Sequence, residues 1–258
     1  MNLLTSHGKI PRWYNKYSKY YDAFNEGFGV ETINRAVEKI LRKHRVKAVL
    51  DNACGTGFQV FWLAKCGYSV IGSDINPGML KIAREKAKKG KVNVRFLKGD
   101  MRTIKVGSFD AVITIYNAIG HLTKGGFEKA LRNIYKNLNF GGIYVFDILN
   151  LNQIMNESIT NQTVDYVRTM GDIKLREIEY SVINKDGIMI SYVTNYIQKG
   201  TGKPRISKYI ETLQLYTAKE LKQMLTKNGF KVLGQYGKDG SKFSERKTRS
   251  ILTVAKKQ

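Results

Sequence analysis

Between Lys47 and Leu149, short β-branched runs alternate with stretches whose apolar residues recur every three or four positions. AVLDNACG (48–55) reads as a buried strand entering a glycine turn, followed by a helix from about Phe58 to Lys65. YSVIGSD (68–74) is a second strand, and a helix over 76–89 carries Pro77 in its first turn. VNVRFLKGD (92–100) and FDAVITIY (109–116) are the third and fourth strands. A helix over 127–138 is expected to end at Gly141-Gly142, ahead of a fifth strand, IYVFDILN (143–150). Strands separated by helices predict a parallel sheet with right-handed crossovers.

From Val164 to Tyr216 the period changes to two, with turns at Lys185-Asp186-Gly187 and at Lys199-Gly200-Thr201-Gly202. That pattern predicts an antiparallel meander inserted after the fifth strand. TAKELKQMLTKNG (217–229) is then a Thr-capped amphipathic helix ended by Gly229, and FKVLGQYG with RSILTVAKK forms a hairpin at the sheet edge. The expected fold class is α/β: a Rossmann-like, doubly wound, mostly parallel seven-stranded sheet with an inserted antiparallel β lid. The chain divides into an N-terminal helical segment (1–46), a core (47–150), the insertion (151–216) and a return to the core sheet (217–258).

Composition narrows the class. With 42% hydrophobic residues the chain of 258 can bury a sizeable core, which excludes wholesale disorder. Cys54 and Cys66 form neither a disulfide framework nor a metal-ligand pair, so a reducing, cytoplasmic setting is expected and no metal is implied. The first thirty residues lack the apolar core of a signal peptide, and no run approaches the roughly 20 apolar residues of a membrane span. The net charge of +23 raises the question of nucleic acid. The excess lies on helix-like stretches such as KIAREKAKKGK (81–91), whereas residues 151–215 carry eight basic against seven acidic groups. A solvated helix face accounts for such runs better than a nucleic-acid footprint, and a small-molecule partner is preferred.

The informative residues lie at the carboxyl ends of the strands, where an open α/β sheet binds ligands. Asp51-Asn52-Ala53-Cys54-Gly55-Thr56-Gly57 is an acid followed by a G-x-G turn, letting backbone approach a ligand with a helix N-terminus behind it. Asp74 ends the second strand, where an acid suits the two hydroxyls of a ribose. Asp100 ends the third, where a carboxylate accepts from an adenine amino group, and Tyr116-Asn117-Ala118 ends the fourth. A dinucleotide fits less well: Val60 stands three after Gly57, and Asp51 would face phosphate charge. A ligand with an ammonium and no phosphate, S-adenosylmethionine, fits better.

On these residues the sequence resembles the class I S-adenosylmethionine-dependent methyltransferases over essentially 10–258. VLDNACGTG (49–57), VIGSDINPGMLKIAREK (70–86) and FLKGDMRTI (96–104) look like motifs I, II and III. FDAVITIYNAIGHL, LRNIYKNLNFGGIYVFDILN and LYTAKELKQMLTKNGF follow the later motifs in order. The motif I position often occupied by Gly is Ala53 here. The resemblance implies S-adenosylmethionine as cofactor, with Ala53 and Gly55 contacting the methionine part through backbone. It also implies that Asp74 takes the ribose, Ile75 packs on adenine, and Asp100 with Met101 reads the adenine edge.

Absences narrow the acceptor. No Asn/Asp-Pro-Pro-aromatic motif follows the fourth strand, no cysteine stands on that rim for carbon-5 chemistry, and only Asp147 is available near the fifth strand for a metal cluster. Cys54 and Cys66 are expected to pack. The closest likeness is to glycine/sarcosine and amino-sugar N-methyltransferase-like groups, where YSKYYDAFN (17–25) looks like the segment folding over the cofactor. In that likeness NAIGHL (117–122) and DILN (147–150) look like the substrate rim and the antiparallel insertion like the lid. Tyr14 and Tyr21 are candidates to face the sulfonium, His121 to take the amine proton or to position, and Asn117 and Asn150 to bind substrate. The expectation is a monomeric or homodimeric enzyme methylating a small amine. An RNA or protein acceptor, a non-catalytic S-adenosylmethionine-binding regulator and, more remotely, a Rossmann oxidoreductase are the alternatives.

Overall fold

The computed structural model describes residues 14, 18–25, 29–156 and 161–258; residues 1–13, 15–17 and 26–28 of the N-terminal segment, His7 and Tyr17 among them, lie outside the described residues. A short helix α1 (Tyr21–Asn25) and helix α2 (Val30–Lys43) precede β1 (Ala48–Asn52), α3 (Phe58–Lys65), β2 (Ser69–Asp74), α4 (Pro77–Gly90) and β3 (Arg95–Lys98). There follow β4 (Phe109–Thr114), α5 (Lys124–Lys136), β5 (Leu138–Leu149) and α6 (Leu151–Asn156). The meander β6 (Asn161–Met170), β7 (Ile173–Ile183), β8 (Ile188–Lys199) and β9 (Arg205–Gln214) leads to α7 (Ala218–Lys227), β10 (Phe230–Gly237) and β11 (Ser250–Lys257). Among the described residues, no helix is long and apolar enough to cross a membrane.

The seven-stranded sheet has the order β10-β11-β5-β4-β1-β2-β3, with β1 to β5 parallel and β10 and β11 antiparallel. Strand order reverses between β1 and β4, so a crevice opens at their carboxyl ends. Both faces are covered. On β1, Val49 packs with Val37, Leu41, Val60 and Leu63 under α2 and α3, while the next residue, Leu50, packs with Phe127, Leu131 and Leu221 under α5 and α7. The four-stranded sheet β6-β7-β8-β9 is antiparallel throughout.

Local chemistry explains the helix boundaries. Asn76 caps α4, its Oδ1 accepting from the N–H of Gly78 (2.8 Å) and of Met79 (3.2 Å), with Pro77 in the first turn. Thr217 and Glu220 close a reciprocal capping box on α7. The turn before α3 requires a glycine: Gly57 has φ +90°, and a Cβ there would lie 2.8 Å from the Phe61 ring.

Three expectations are corrected. The helix α5 begins three residues earlier than expected and stops at Lys136, where Asn137 donates its backbone N–H to Asn133 and Ile134 carbonyls. Gly141 and Gly142 lie inside β5 instead of ending a helix. They form the irregularity at which β5 shifts register on β4, with Gly141 at φ +74° and no room for a Cβ at Gly142 beside Asn139 and Asp110 carbonyls. The third strand is shorter than expected because Lys91 is left-handed and Val92 still donates to the Ala87 carbonyl, so the chain leaves α4 late.

Replacing Thr217 by Ala removes one half of the capping box. The expected loss is about 1 kcal/mol of stability, read as a lower urea midpoint at unchanged slope.

Candidate active site

The loop after β1 is pinned to β2. Ala53 and Cys54 donate their N–H groups to the Ser73 carbonyl at 2.7 and 2.9 Å, and Gly55 donates to Asp74 Oδ2 at 2.8 Å. The other Asp74 oxygen accepts from the Asn76 N–H at 2.7 Å. Ala53 is held at φ +77°, a left-handed conformation that explains why glycine is favoured at that place in motif I. Burial raises the Asp74 carboxyl above its ordinary range, and the N–H groups of Asn76, Gly55 and Ile75 act against that rise. Asp51, at the end of β1, is almost wholly buried, and its Oδ2 has no hydrogen-bond partner. Burial first, and then the nearby Asp74 charge, push its carboxyl well up.

A cleft lies over these strand ends. Tyr14, Tyr21, Ala53, Gly55, Asp74 and Ile75 line it, as do Asp100, Met101, Tyr116 and His121. Four aromatic rings form a chain around it: Tyr14 lies 5.9 Å from Tyr21, Tyr21 lies 6.4 Å from Phe58, and Phe58 lies 6.4 Å from Tyr116. Ring faces at such a site favour a cationic ligand. Phe58 was not among the sequence candidates; its place as the first residue of α3, behind the Gly57 turn, is the signal that marks it. The N-terminal segment is tied down by Asp22, which accepts from the Thr56 hydroxyl and pairs with Lys86 at 2.8 Å.

The Tyr14 hydroxyl lies 3.2 Å from His121 Nε2, and the two rings meet edge to face at 5.5 Å. Burial lowers the His121 pKa to about 4, so the imidazole is neutral at pH 7. Asp147, buried under the rim, accepts from the N–H of Tyr116 at 2.6 Å and of Asn117 at 3.3 Å. It thereby fixes two residues held at positive φ, +65° and +57°.

Other candidates are placed differently from expectation. Asn150 does not line the cleft: it is fully buried, donating to the Glu245 and Thr248 carbonyls at 2.8 and 2.9 Å and accepting from the Asn152 N–H. Its amide holds the loop before β11. Asn117 lines a neighbouring hollow with Asp147, Lys238 and Arg249. Asp100 stands beyond the end of β3 and is gripped by Arg102 through Nε, Nη2 and the backbone N–H. Burial works against its charge, but the Arg102 bonds outweigh burial and hold the carboxyl below its usual range. Cys54 is buried, its thiol raised by burial, whereas Cys66 is exposed and does not pack as expected.

The residues fit S-adenosylmethionine on the structure's own terms. An unpartnered buried carboxylate oxygen on Asp51 awaits a positive charge, the Ala53–Gly55 backbone borders the cleft, and aromatic rings surround its middle.

Comparison with known proteins agrees with this geometry. Residues 49–142 match the model of a methyltransferase domain. The glycine/sarcosine N-methyltransferase of Parasynechococcus marenigrum is 34% identical over 121 residues, which is 45% of this chain and 43% of that enzyme. A crystal structure of an S-adenosylmethionine-dependent methyltransferase from Clostridium acetobutylicum superposes with a TM-score of 0.81, at 16% identity, covering 94% of this chain and 99% of that one. A sugar N-methyltransferase from Streptoalloteichus sp. superposes at 0.75, with 20% identity and 91% and 92% coverage. At those identities the structural likeness is one of fold. The domain match over 49–142 and the shared fold support an S-adenosylmethionine-dependent methyltransferase, with S-adenosylmethionine as cofactor.

Proposed function

We propose that the enzyme methylates the nitrogen of a small amine-bearing molecule. The observation that carries this reading is the Tyr14–His121 pair, which brings a hydroxyl and a neutral imidazole together on the wall of the cleft, as positioning a small acceptor requires. The N-methyltransferase relatives favour nitrogen as the methylated atom. In this reading residues 47–150 hold the cofactor, 1–46 cover it, 151–216 form the acceptor's lid and 217–258 complete the core sheet.

When bound, the cofactor supplies a methyl group already activated on a sulfonium, so the protein's part is alignment and exclusion of water. Asp51 and the Ala53–Gly55 backbone hold the methionine end, Asp74 the ribose, and Ile75, Asp100 and Met101 the adenine. Tyr14, Tyr21, Phe58 and Tyr116 wall the reacting region and tolerate positive charge through their ring faces. With its pKa near 4, His121 is a weak base and acts by positioning Tyr14.

A second reading has one observation of its own. Lys238, Lys242, Lys247 and Arg249 border the hollow beside Asn117, a basic surface suited to a polyanion. Salt-dependent binding of bulk tRNA with a steep slope would favour it; its absence leaves the small acceptor.

The first test is calorimetric titration with S-adenosylhomocysteine, with NAD as control, followed by methyl transfer to a panel of amines and amino sugars. Binding of the former alone and transfer to nitrogen are expected; transfer only to oxygen or carbon would refute the nitrogen assignment.

Asp74→Ala is expected to weaken S-adenosylhomocysteine at least about tenfold, since hydrogen bonds to a charged group are worth roughly 1.5–3 kcal/mol. Asp74→Asn, which keeps one acceptor oxygen for the loop, is expected to lose less. Asp100→Ala weakens binding too, by a smaller factor because Arg102 already occupies that carboxylate. Wild-type affinity in both alanine variants would remove these residues from the site.

His121 also makes a stability prediction. Its folded pKa, about 4, lies below the ordinary 6.5, so between those values the unfolded chain binds more protons and folding weakens as pH falls. His121→Gln lacks this term. Its thermal midpoint is therefore expected to gain on the wild type as pH drops from 6.5 to 4, with a constant difference above pH 7. A difference that does not change across that window would show an imidazole that is not buried neutral.

A further inference from the structure

The antiparallel sheet turns a glutamate-bearing face inward. Register puts Leu175, Glu177 and Glu179 of β7, Ser191, Val193 and Asn195 of β8, and Ser207, Tyr209 and Glu211 of β9 on one face. That face turns inward: Leu175, Val193 and Asn195 are buried, and Leu175 and Ile197 pack with Tyr14, Tyr21 and Tyr209. The opposite face carries Tyr180, Tyr192 and Ile210 in one cross-strand row, all exposed, together with the ion pair between Arg176 and Asp165. In a chain of net charge +23, three glutamates thus point to the enclosed side of one small sheet.

Their partners differ. Glu177 accepts from the Tyr166 hydroxyl at 3.0 Å, and Glu179 accepts from the Ser181 hydroxyl at 2.6 Å, which in turn lies 2.8 Å from Ser191 Oγ. Glu211 has neither a hydrogen bond nor an ion pair among the described residues, although burial and the charges of Glu179 and Glu177 push its carboxyl up to about 8. Two further polar atoms are orphaned here. Ser207 Oγ, on the same strand and face as Glu211, is buried without a partner, and so is Nδ1 of His121, the residue that meets Tyr14. On its strand Glu211 stands between Tyr209, which packs in one cluster with Tyr14, and Leu213, which lies against Gly120 beside His121. An uncompensated carboxylate in such a place is costly, and a threonine or leucine would serve packing better.

We infer that this face is the recognition site for a cationic acceptor: Glu211, flanked by Glu177 and Glu179, holds a protonated amino group of a molecule whose second, neutral nitrogen is presented beyond Tyr14 for methylation. The inference rests on the amine-acceptor function proposed above and narrows it to diamine-like molecules. His121 Nδ1, buried without a partner beside Tyr14, offers an uncharged hydrogen-bonding partner at the methylated end of the ligand.

The test uses the full chain saturated with S-adenosylhomocysteine, titrated calorimetrically with 1,3-diaminopropane and 1,4-diaminobutane, with the corresponding diols, and with glycine. At least one diamine is expected to bind more tightly than its diol and than glycine. Glu211→Gln is expected to weaken that diamine at least about tenfold, the scale of losing one partner of an enclosed charge pair, with affinity for S-adenosylhomocysteine unchanged. Glu179→Gln, a second variant that leaves the Tyr14 contact alone, is expected to weaken it less. Diamines no better than their diols, or binding to Glu211→Gln equal to wild type, would overturn the inference. An amine methylated equally well by wild type and Glu211→Gln would overturn it while leaving the amine-acceptor function standing. Failure to bind S-adenosylhomocysteine would instead strike the cofactor site beneath both.

Discussion

The constraint on which the structure turns is the pair of carboxylates buried at the carboxyl edge of the parallel sheet. Asp74 accepts backbone N–H groups from Gly55 after β1 and from Asn76 at the start of α4, and so ties two crossover connections to one side chain. The Ser73 carbonyl takes the donors of Ala53 and Cys54, which leaves the concave side of that loop free to face a ligand. Ala53 is held in a left-handed conformation that costs a non-glycine residue roughly 1–2 kcal/mol, and these bonds are what hold it. Asp51 receives no comparable compensation at Oδ2. A carboxylate oxygen kept dry and unpartnered makes sense where a cation completes it, and the methionine end of the cofactor brings one.

The same logic of enclosed acids recurs across the cleft and organises charge over the whole molecule. Lysines and arginines crowd the helix surfaces and the 238–249 loop, whereas Asp51, Asp74 and Asp147 are buried beneath the crevice and Glu177, Glu179 and Glu211, half-buried, share the sheet face that meets Tyr14. A +23 protein thus surrounds a site bordered by acids. Both ligands expected there, a sulfonium and an amine, are cations before reaction. The basic exterior raises solubility and contributes little to their capture over distance, so affinity for them depends on short-range contacts with these few buried acids.

Much of the core was legible from pattern because each element obeyed one local rule. Period-two and helical stretches, Pro77 at a first turn and the Thr217–Glu220 box all had chemistry readable within a few residues. The misreadings came where a local sign was captured by something distant. Gly141-Gly142 looks like a helix stop, yet its small size serves the approach of β5 to the Asp110 and Asn139 carbonyls. Asn150 follows the fifth strand as a substrate donor would, but the Glu245 and Thr248 carbonyls, nearly a hundred residues away in sequence, claim its amide. Asp100, by contrast, borders the cleft where motif III predicts it, with Arg102 two residues on taking much of its hydrogen-bonding capacity.

The insertion shows the deepest reason. Its alternation was plain in IKLREIEYSV, and by the ordinary rule the face bearing Ile178 and Tyr180 would turn inward and the face bearing Glu177 and Glu179 outward. The fold does the reverse, because Leu175 and Ile197 at one end of the glutamate face dock on Ala23 and Phe24 and on the Tyr14 and Tyr21 rings, and a strand's side chains cannot be reassigned between faces without a change of register. The price of that choice is a row of exposed tyrosines and an isoleucine outside and unpaired acid inside. A sheet that turns acid inward in this way departs from local consistency, and such departures concentrate where a ligand supplies what the protein lacks. The inversion of faces therefore speaks for an acceptor site more strongly than any single residue on it.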